Sequence, residues 1–101
     1  MKNVLLICGA GASSGFMAAA IRKAAKKRKM EMSVFAKSES QLNEYIDKTD
    51  ILLIGPHLAY MEADITAETA GKNVKVAVIP QLIYGTIDGN KALDFILGME
   101  D

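Results

Sequence analysis

Val4-Leu5-Leu6-Ile7-Cys8-Gly9-Ala10-Gly11-Ala12-Ser13-Ser14-Gly15 is the stretch whose reading decides the fold. Val4 to Ile7 are apolar without a break, the pattern of a parallel strand buried on both faces. Glycine, alanine and serine then make a loop, and the segment beyond, rich in Ala, Lys and Arg, reads as a helix. Strand, small-residue loop and helix together form an anion site. The first N–H groups of a helix have no internal partner, and the macrodipole adds partial positive charge there. Small side chains at Gly9, Ala10, Gly11, Ala12, Ser13, Ser14 and Gly15 let a tetrahedral oxyanion approach those N–H groups. Cys8 stands where the strand ends, so its sulfur is expected to point into the cradle. Donors that bind phosphate also favour a thiolate, and a thiolate in a phosphate nest is a nucleophile for phosphorus.

Two blander readings compete with that one. A lone cysteine is commonly a small buried hydrophobe, but attached to this loop Cys8 is read as the nucleophile. Gly9 to Gly15 also fit a loose dinucleotide-binding pattern, which calls for an acidic residue about 20 positions on, at the end of the second strand. The second strand ends near Ala36-Lys37-Ser38, and Glu39 comes only after it. The chain is also too short to add a substrate domain.

With 101 residues, half of them hydrophobic, residues 1–101 are expected to form one globular domain with a core that needs neither disulfide nor metal. Twelve basic and twelve acidic residues cancel, so no net field favours nucleic acid or a membrane surface. A single cysteine cannot close an internal disulfide, and a reactive thiol suits a reducing compartment. The run Val4 to Ile7 is too short for a signal peptide or a membrane span, so a cytoplasmic protein without membrane insertion is expected.

Taken in order, the chain predicts a first helix from about Ser14 to Lys29, with Met17, Ala20, Ile21 and Ala24 inward. The basic residues Arg22 to Lys29 are read as a solvated face rather than a nucleic-acid patch, since no aromatic residue interleaves them. Glu31 to Ala36 alternate as an edge strand does. Ser38-Glu39-Ser40-Gln41 has capping-box spacing and opens a helix that ends near Lys48. Ile51 to Ile54 form a second buried strand, which Gly55-Pro56-His57 ends. A helix from Leu58 to Ala70, stopped by Gly71, precedes a strand over Val74 to Ile79. Gln81 to Gly89 are read as a loop, and Asp88 as the N-cap of a last helix.

The sum is βαβαβαβα: a single-domain α/β three-layer sandwich with a parallel four-stranded sheet in the order 2-1-3-4 and helices on both faces. Ligands bind such sheets outside the carboxyl ends of the strands, at the switch point. The Cys8 loop lies there, with Pro56, His57, Gln81 and Tyr84 as walls. The chemistry is narrowed by what the loop lacks. A cysteine phosphatase carries an arginine after five intervening residues, where this chain has Ser14, and Cys8 to Gly15 include no basic residue. It also needs an acid for the leaving group, and Asp88 is better placed as a cap. A site that accepts phosphate on sulfur yet is poorly equipped to hydrolyse it is a phosphate carrier, with neither metal nor cofactor.

These residues also carry a resemblance. Cys8 to Ser14, Ile54-Gly55-Pro56-His57-Leu58-Ala59-Tyr60-Met61 and Leu82-Ile83-Tyr84-Gly85-Thr86-Ile87-Asp88-Gly89 together resemble enzyme IIB of the lactose/cellobiose (chitobiose) branch of the sugar phosphotransferase system. The likeness spans the chain in length and element order. It implies that Cys8 takes phosphate from a phosphohistidine on the IIA protein, as a phosphocysteine intermediate. The phosphate then passes to a disaccharide held by the membrane subunit IIC. Three positions depart from the family: Ala12 where methionine is frequent, Gly15 where a hydroxyl residue is usual, and His57 in place of a common glutamine. His57 is read as a wall residue, Tyr60 and Tyr84 as rim packing, and Ala12, Met61, Ile83 and Tyr84 as candidate docking contacts. The alternatives are a small cysteine phosphatase or arsenate-reductase-like enzyme, and a non-catalytic regulatory module.

Overall fold

The structure, a computed structural model, describes residues 2–7, 13–38 and 41–99. Strand β1 (Lys2–Ile7) runs through the middle of the sheet, with β2 (Met32–Lys37) on one side, β3 (Ile51–Ile54) on the other and β4 (Lys75–Val78) beyond β3. All pairs are parallel, in the expected order 2-1-3-4. Burial explains the order. Val4 to Ile7 and Ile51 to Ile54 are all buried, which only central strands allow. The strands with more polar or exposed positions, β2 and β4, take the edges.

Successive side chains of a strand point to opposite faces, and here each face has its own helices. Val4, Leu6, Val34, Ile51 and Leu53 pack against Met17, Ala18 and Ile21 of α1 (Ser13–Lys27) and Ala92 and Ile96 of α5 (Gly89–Met99). Leu5, Ile7, Leu52 and Ile54 pack against Leu42 of α2 (Leu42–Tyr45), Ile46, Leu58, and Ile65 of α3 (Glu62–Glu68). Burying each such Leu or Ile contributes about 1.5–3 kcal/mol, so these two layers dominate the stability. The buried Thr49 and Thr69 hydroxyls are satisfied locally, donating to the carbonyls of Tyr45 (2.8 Å) and Thr66 (3.1 Å).

Several boundaries differ from the sequence expectation, each for a local reason. Helix α1 stops at Lys27 because Lys29 turns left-handed, with φ of 56°. The Lys29 N–H then donates to Lys26 O and the Met30 N–H to Ala25 O, a Schellman ending with lysine where glycine is usual. The second helix is cut to α2 and a 3₁₀ turn, Ile46–Lys48. Half of its capping box forms: Gln41 Oε1 accepts from the Ser38 N–H at 3.4 Å, while the Gln41 N–H turns to the Ser38 carbonyl. Glu39 and Ser40 lie outside the described residues. The third helix begins as a 3₁₀ segment, Pro56–Met61, broken at Leu58 (φ −110°, ψ 19°), before α3 follows. Gly71 turns the chain at φ 85°, as expected of a helix-terminating glycine.

The larger correction is at residues 81–89, expected to be a loop. Gln81–Thr86 form a helix, α4, which starts behind Pro80 and ends at Ile87 in a left-handed conformation. A helix of six residues is too short to show a repeat of 3.6.

Candidate functional site

The site is built on the carboxyl ends of three adjacent strands. Ile7, Ile54 and Val78 are in register, and the ladder continues past them. The Gly55 N–H donates to Ile7 O and the Ile79 N–H to Ile54 O, both at 2.9 Å. The chain leaves β1 directly into Cys8, Gly9, Ala10, Gly11 and Ala12, which lie outside the described residues, and returns at Ser13 as the first residue of α1. Ser13 and Ser14 open that helix, so their N–H groups are among those lacking an intrahelical acceptor. The helix has no acidic residue in its first turn and Lys26 and Lys27 in its last, so nothing in that turn neutralises its positive end. Gly15 is exposed, and a Cβ there would meet nothing within 4 Å. Space would admit a hydroxyl residue at that position.

Residues expected as walls come together at this end. Pro56 and His57 start the 3₁₀ segment behind β3, and Gln81 opens α4 behind β4. The rings of His57 and Tyr84 are 5.7 Å apart between centroids and tilted by 56°. Tyr84 is half-buried against the α1 face of the core, as is Ile83, whereas Met61 packs on the opposite face. Gln81 is exposed, with its amide nitrogen 3.7 Å from where a Cβ on Gly85 would lie. Lys37, at the end of β2 and paired in register with Ile7, holds its ammonium 5.1 Å from the centre of the Tyr45 ring, on the α2 face.

The exposed apolar side chains at this end are ones the sequence reading did not single out as contacts. Phe16, Tyr60 and Leu82 are 64, 77 and 71 % exposed. They sit on the three segments that follow β1, β3 and β4. Tyr60 is therefore not packed at the rim, as expected, but projects from it. Phe16 and Leu82 carry no signal in sequence except helical phase, and a short α4 hides its phase.

Asp88 behaves as a cap. Its Oδ1 accepts from the Lys91 N–H at 3.0 Å, and its carbonyl accepts from the Ala92 N–H at 2.9 Å. Asp88→Ala is expected to cost about 1 kcal/mol, and Asp88→Asn, which keeps an N-cap acceptor, only a few tenths. Thermal melts of the two variants check this. A larger loss of stability in Asp88→Asn than in Asp88→Ala would show that capping is not what this side chain does.

Among the described residues no group of three or more His, Cys, Asp or Glu side chains could hold a metal ion. Among the same residues no helix is long and apolar enough to cross a membrane.

Comparison with known proteins agrees with this geometry. Residues 3–95 match the family model described as "PTS system, Lactose/Cellobiose specific IIB subunit". The oligo-beta-mannoside-specific EIIB component of Bacillus subtilis is 29% identical over 99 residues, covering 98% of this chain and 96% of that protein. The lactose-specific EIICB component of Streptococcus mutans is 33% identical over 96 residues, which are 93% of this chain but only 17% of that longer protein. In fold, the lactose-specific IIB component domain of the phosphoenolpyruvate:carbohydrate phosphotransferase system from Streptococcus pneumoniae superposes with a TM-score of 0.91. That match has 16% identity and covers 99% of this chain and 98% of the other.

Proposed function

The chain belongs to the lactose/cellobiose-specific IIB family of the sugar phosphotransferase system, whose members pass phosphate toward sugar, and we propose that Cys8 is the atom that carries it. The single observation behind this assignment is the position of Ile7. It is buried and hydrogen-bonded at the end of the central strand, one residue before Cys8 and six before the first turn of a 15-residue helix. Sheets of this kind gather ligands beyond the carboxyl end of such a strand, and the helix start six residues on supplies unpaired N–H groups for an anion.

In this reading the Cys8 thiolate attacks the phosphorus of a phosphohistidine on the IIA donor. The N–P bond breaks as the S–P bond forms, and the imidazole leaves. A hydroxyl of a sugar held by the membrane subunit IIC then attacks the same phosphorus and releases its proton to solvent. The S–P bond breaks and the thiolate is restored. The chain's own contribution is positioning and donors for the equatorial oxygens, which is most of what phosphoryl transfer asks of a protein. Residues 1–101 act as one cytoplasmic domain. Phe16, Tyr60 and Leu82 supply the apolar surface that donor and acceptor use in turn, with Ala12 as a further contact. The relatives' names give different sugars, an oligo-beta-mannoside and lactose, so the disaccharide is left to the membrane subunit.

Incubation with phosphorylated IIA, followed by intact-mass measurement, tests the reading. One phosphoryl group per chain is expected, without sustained release of phosphate. Steady turnover of p-nitrophenyl phosphate would instead favour a phosphatase, and no uptake of phosphate at all a regulatory module.

A further inference from the structure

The outer edge of β2 carries a second feature, unconnected with phosphate. Asn3 and Ile7 of β1 accept from the Asp50 and Gly55 N–H groups on the β3 side. Alternate residues of a parallel strand bond to opposite neighbours, so Ser33, Phe35 and Lys37 of β2 turn their main chain toward β1. Met32, Val34 and Ala36 therefore turn theirs outward, away from the sheet. The Val34 carbonyl confirms it, since it accepts at 2.6 Å from Nη1 of Arg22, which reaches down from α1 over the edge. Next to this edge, on the α2 face, Phe35 is 51 % exposed. It borders a cavity of about 260 Å³ whose other walls include Leu5 and Tyr45. The cause is the shortness of α2, which leaves the β2 side of that face partly uncovered.

We propose that this edge is a self-pairing surface for a second copy of the chain, and that Arg22 holds it closed. The edge is self-complementary, which favours a second copy of the chain. Antiparallel pairing about a two-fold axis at Val34 sets Met32 opposite Ala36 of the other copy, joining the outward-turned groups. The same register sets Glu31, the residue just before β2, opposite Lys37, twice over. Each Phe35 then lies opposite Ser33 and diagonal to the other Phe35, within reach of an aromatic ring, and the cavity beside it offers room for that ring. Exposed strand edges invite such pairing, and a charged side chain laid across them prevents it. Arg22 occupies the central acceptor of the self-pairing register with a charge-assisted hydrogen bond. The carboxyl ends of the two β1 strands would lie at opposite ends of the paired sheets, so pairing leaves phosphoryl acceptance unchanged.

Sedimentation equilibrium from about 10 µM to about 1 mM covers the range in which small interfaces associate. Arg22→Ala is expected to dimerise at least about tenfold more tightly than the parent chain. Adding Lys37→Glu should abolish that dimer, and further adding Glu31→Lys should restore it by exchanging the paired charges. Arg22→Met, which keeps the aliphatic stem over β2 but has no donor, repeats the test should Arg22→Ala not fold. Association equal to that of the parent in a folded Arg22 variant would overturn the proposal. So would a dimer indifferent to Lys37→Glu.

Discussion

Replacing Gly89 by alanine is expected to cost about 3 kcal/mol and to lower Tm by about 15 °C, although Gly89 is only half-buried in the first turn of α5. A Cβ at Gly89 would lie 2.2 Å from the carbonyl oxygen of Ala20 and 2.5 Å from its carbon. Those atoms are main chain in the middle of α1, flanked by fully buried Ile21, so they cannot swing aside as a side chain tip could. Relief requires α1 and α5 to separate, which opens the cluster of Ala24, Ala25 and Leu93 between them. The control lies on the same helix. A Cβ at Gly98 would meet nothing within 4 Å, so Gly98→Ala should be neutral or stabilising by up to about 1 kcal/mol through helix propensity. Thermal denaturation of both variants gives opposite signs on this account. Similar melts for the two would mean that the close approach of the helices is not what holds them.

The second large effect is chemical. Cys8→Ser is expected to reduce formation of sugar phosphate, assayed with phosphorylated IIA and membranes containing IIC, by on the order of 10⁴-fold or more. A serine hydroxyl keeps the size and the hydrogen-bonding capacity of the thiol. It is not ionised near neutrality, however, and no residue from Cys8 to Gly15 is a base that could take its proton. The folded state should be unaffected, because Ile7, which fixes the strand end, is untouched. A variant that melts like the parent yet retains a tenth of its rate would remove the nucleophile from Cys8.

The sheet was readable because its decisive strands advertise themselves. Val4 to Ile7 and Ile51 to Ile54 are unbroken apolar runs, and such runs belong at the centre of a parallel sheet. Asp88 was readable as a cap, since it stands just before the apolar repeat of α5 and caps are a local matter of one side chain and two N–H groups. What could not be read depended on distance in sequence or on elements too short to be periodic. Residues 81–86 hold Leu82, Ile83 and Tyr84 together, and only the helix they form decides that Leu82 projects while Ile83 and Tyr84 pack inward. Of the candidate contacts Ala12, Met61, Ile83 and Tyr84, the helix therefore turns Ile83 and Tyr84 inward. The meeting of His57 with Tyr84 followed from the rule that sites gather at strand carboxyl ends, though not which rings would touch. The contact of Gly89 with Ala20 and the reach of Arg22 to Val34 have no local signature in sequence.

The proposed phosphate relay depends on which atom is phosphorylated, and ³¹P NMR of the chain after reaction with phosphorylated IIA addresses that atom directly. A phosphothiolate resonance that is absent in Cys8→Ser and unchanged in His57→Gln is the predicted result. A phosphoramidate resonance that survives Cys8→Ser and disappears in His57→Gln would contradict it.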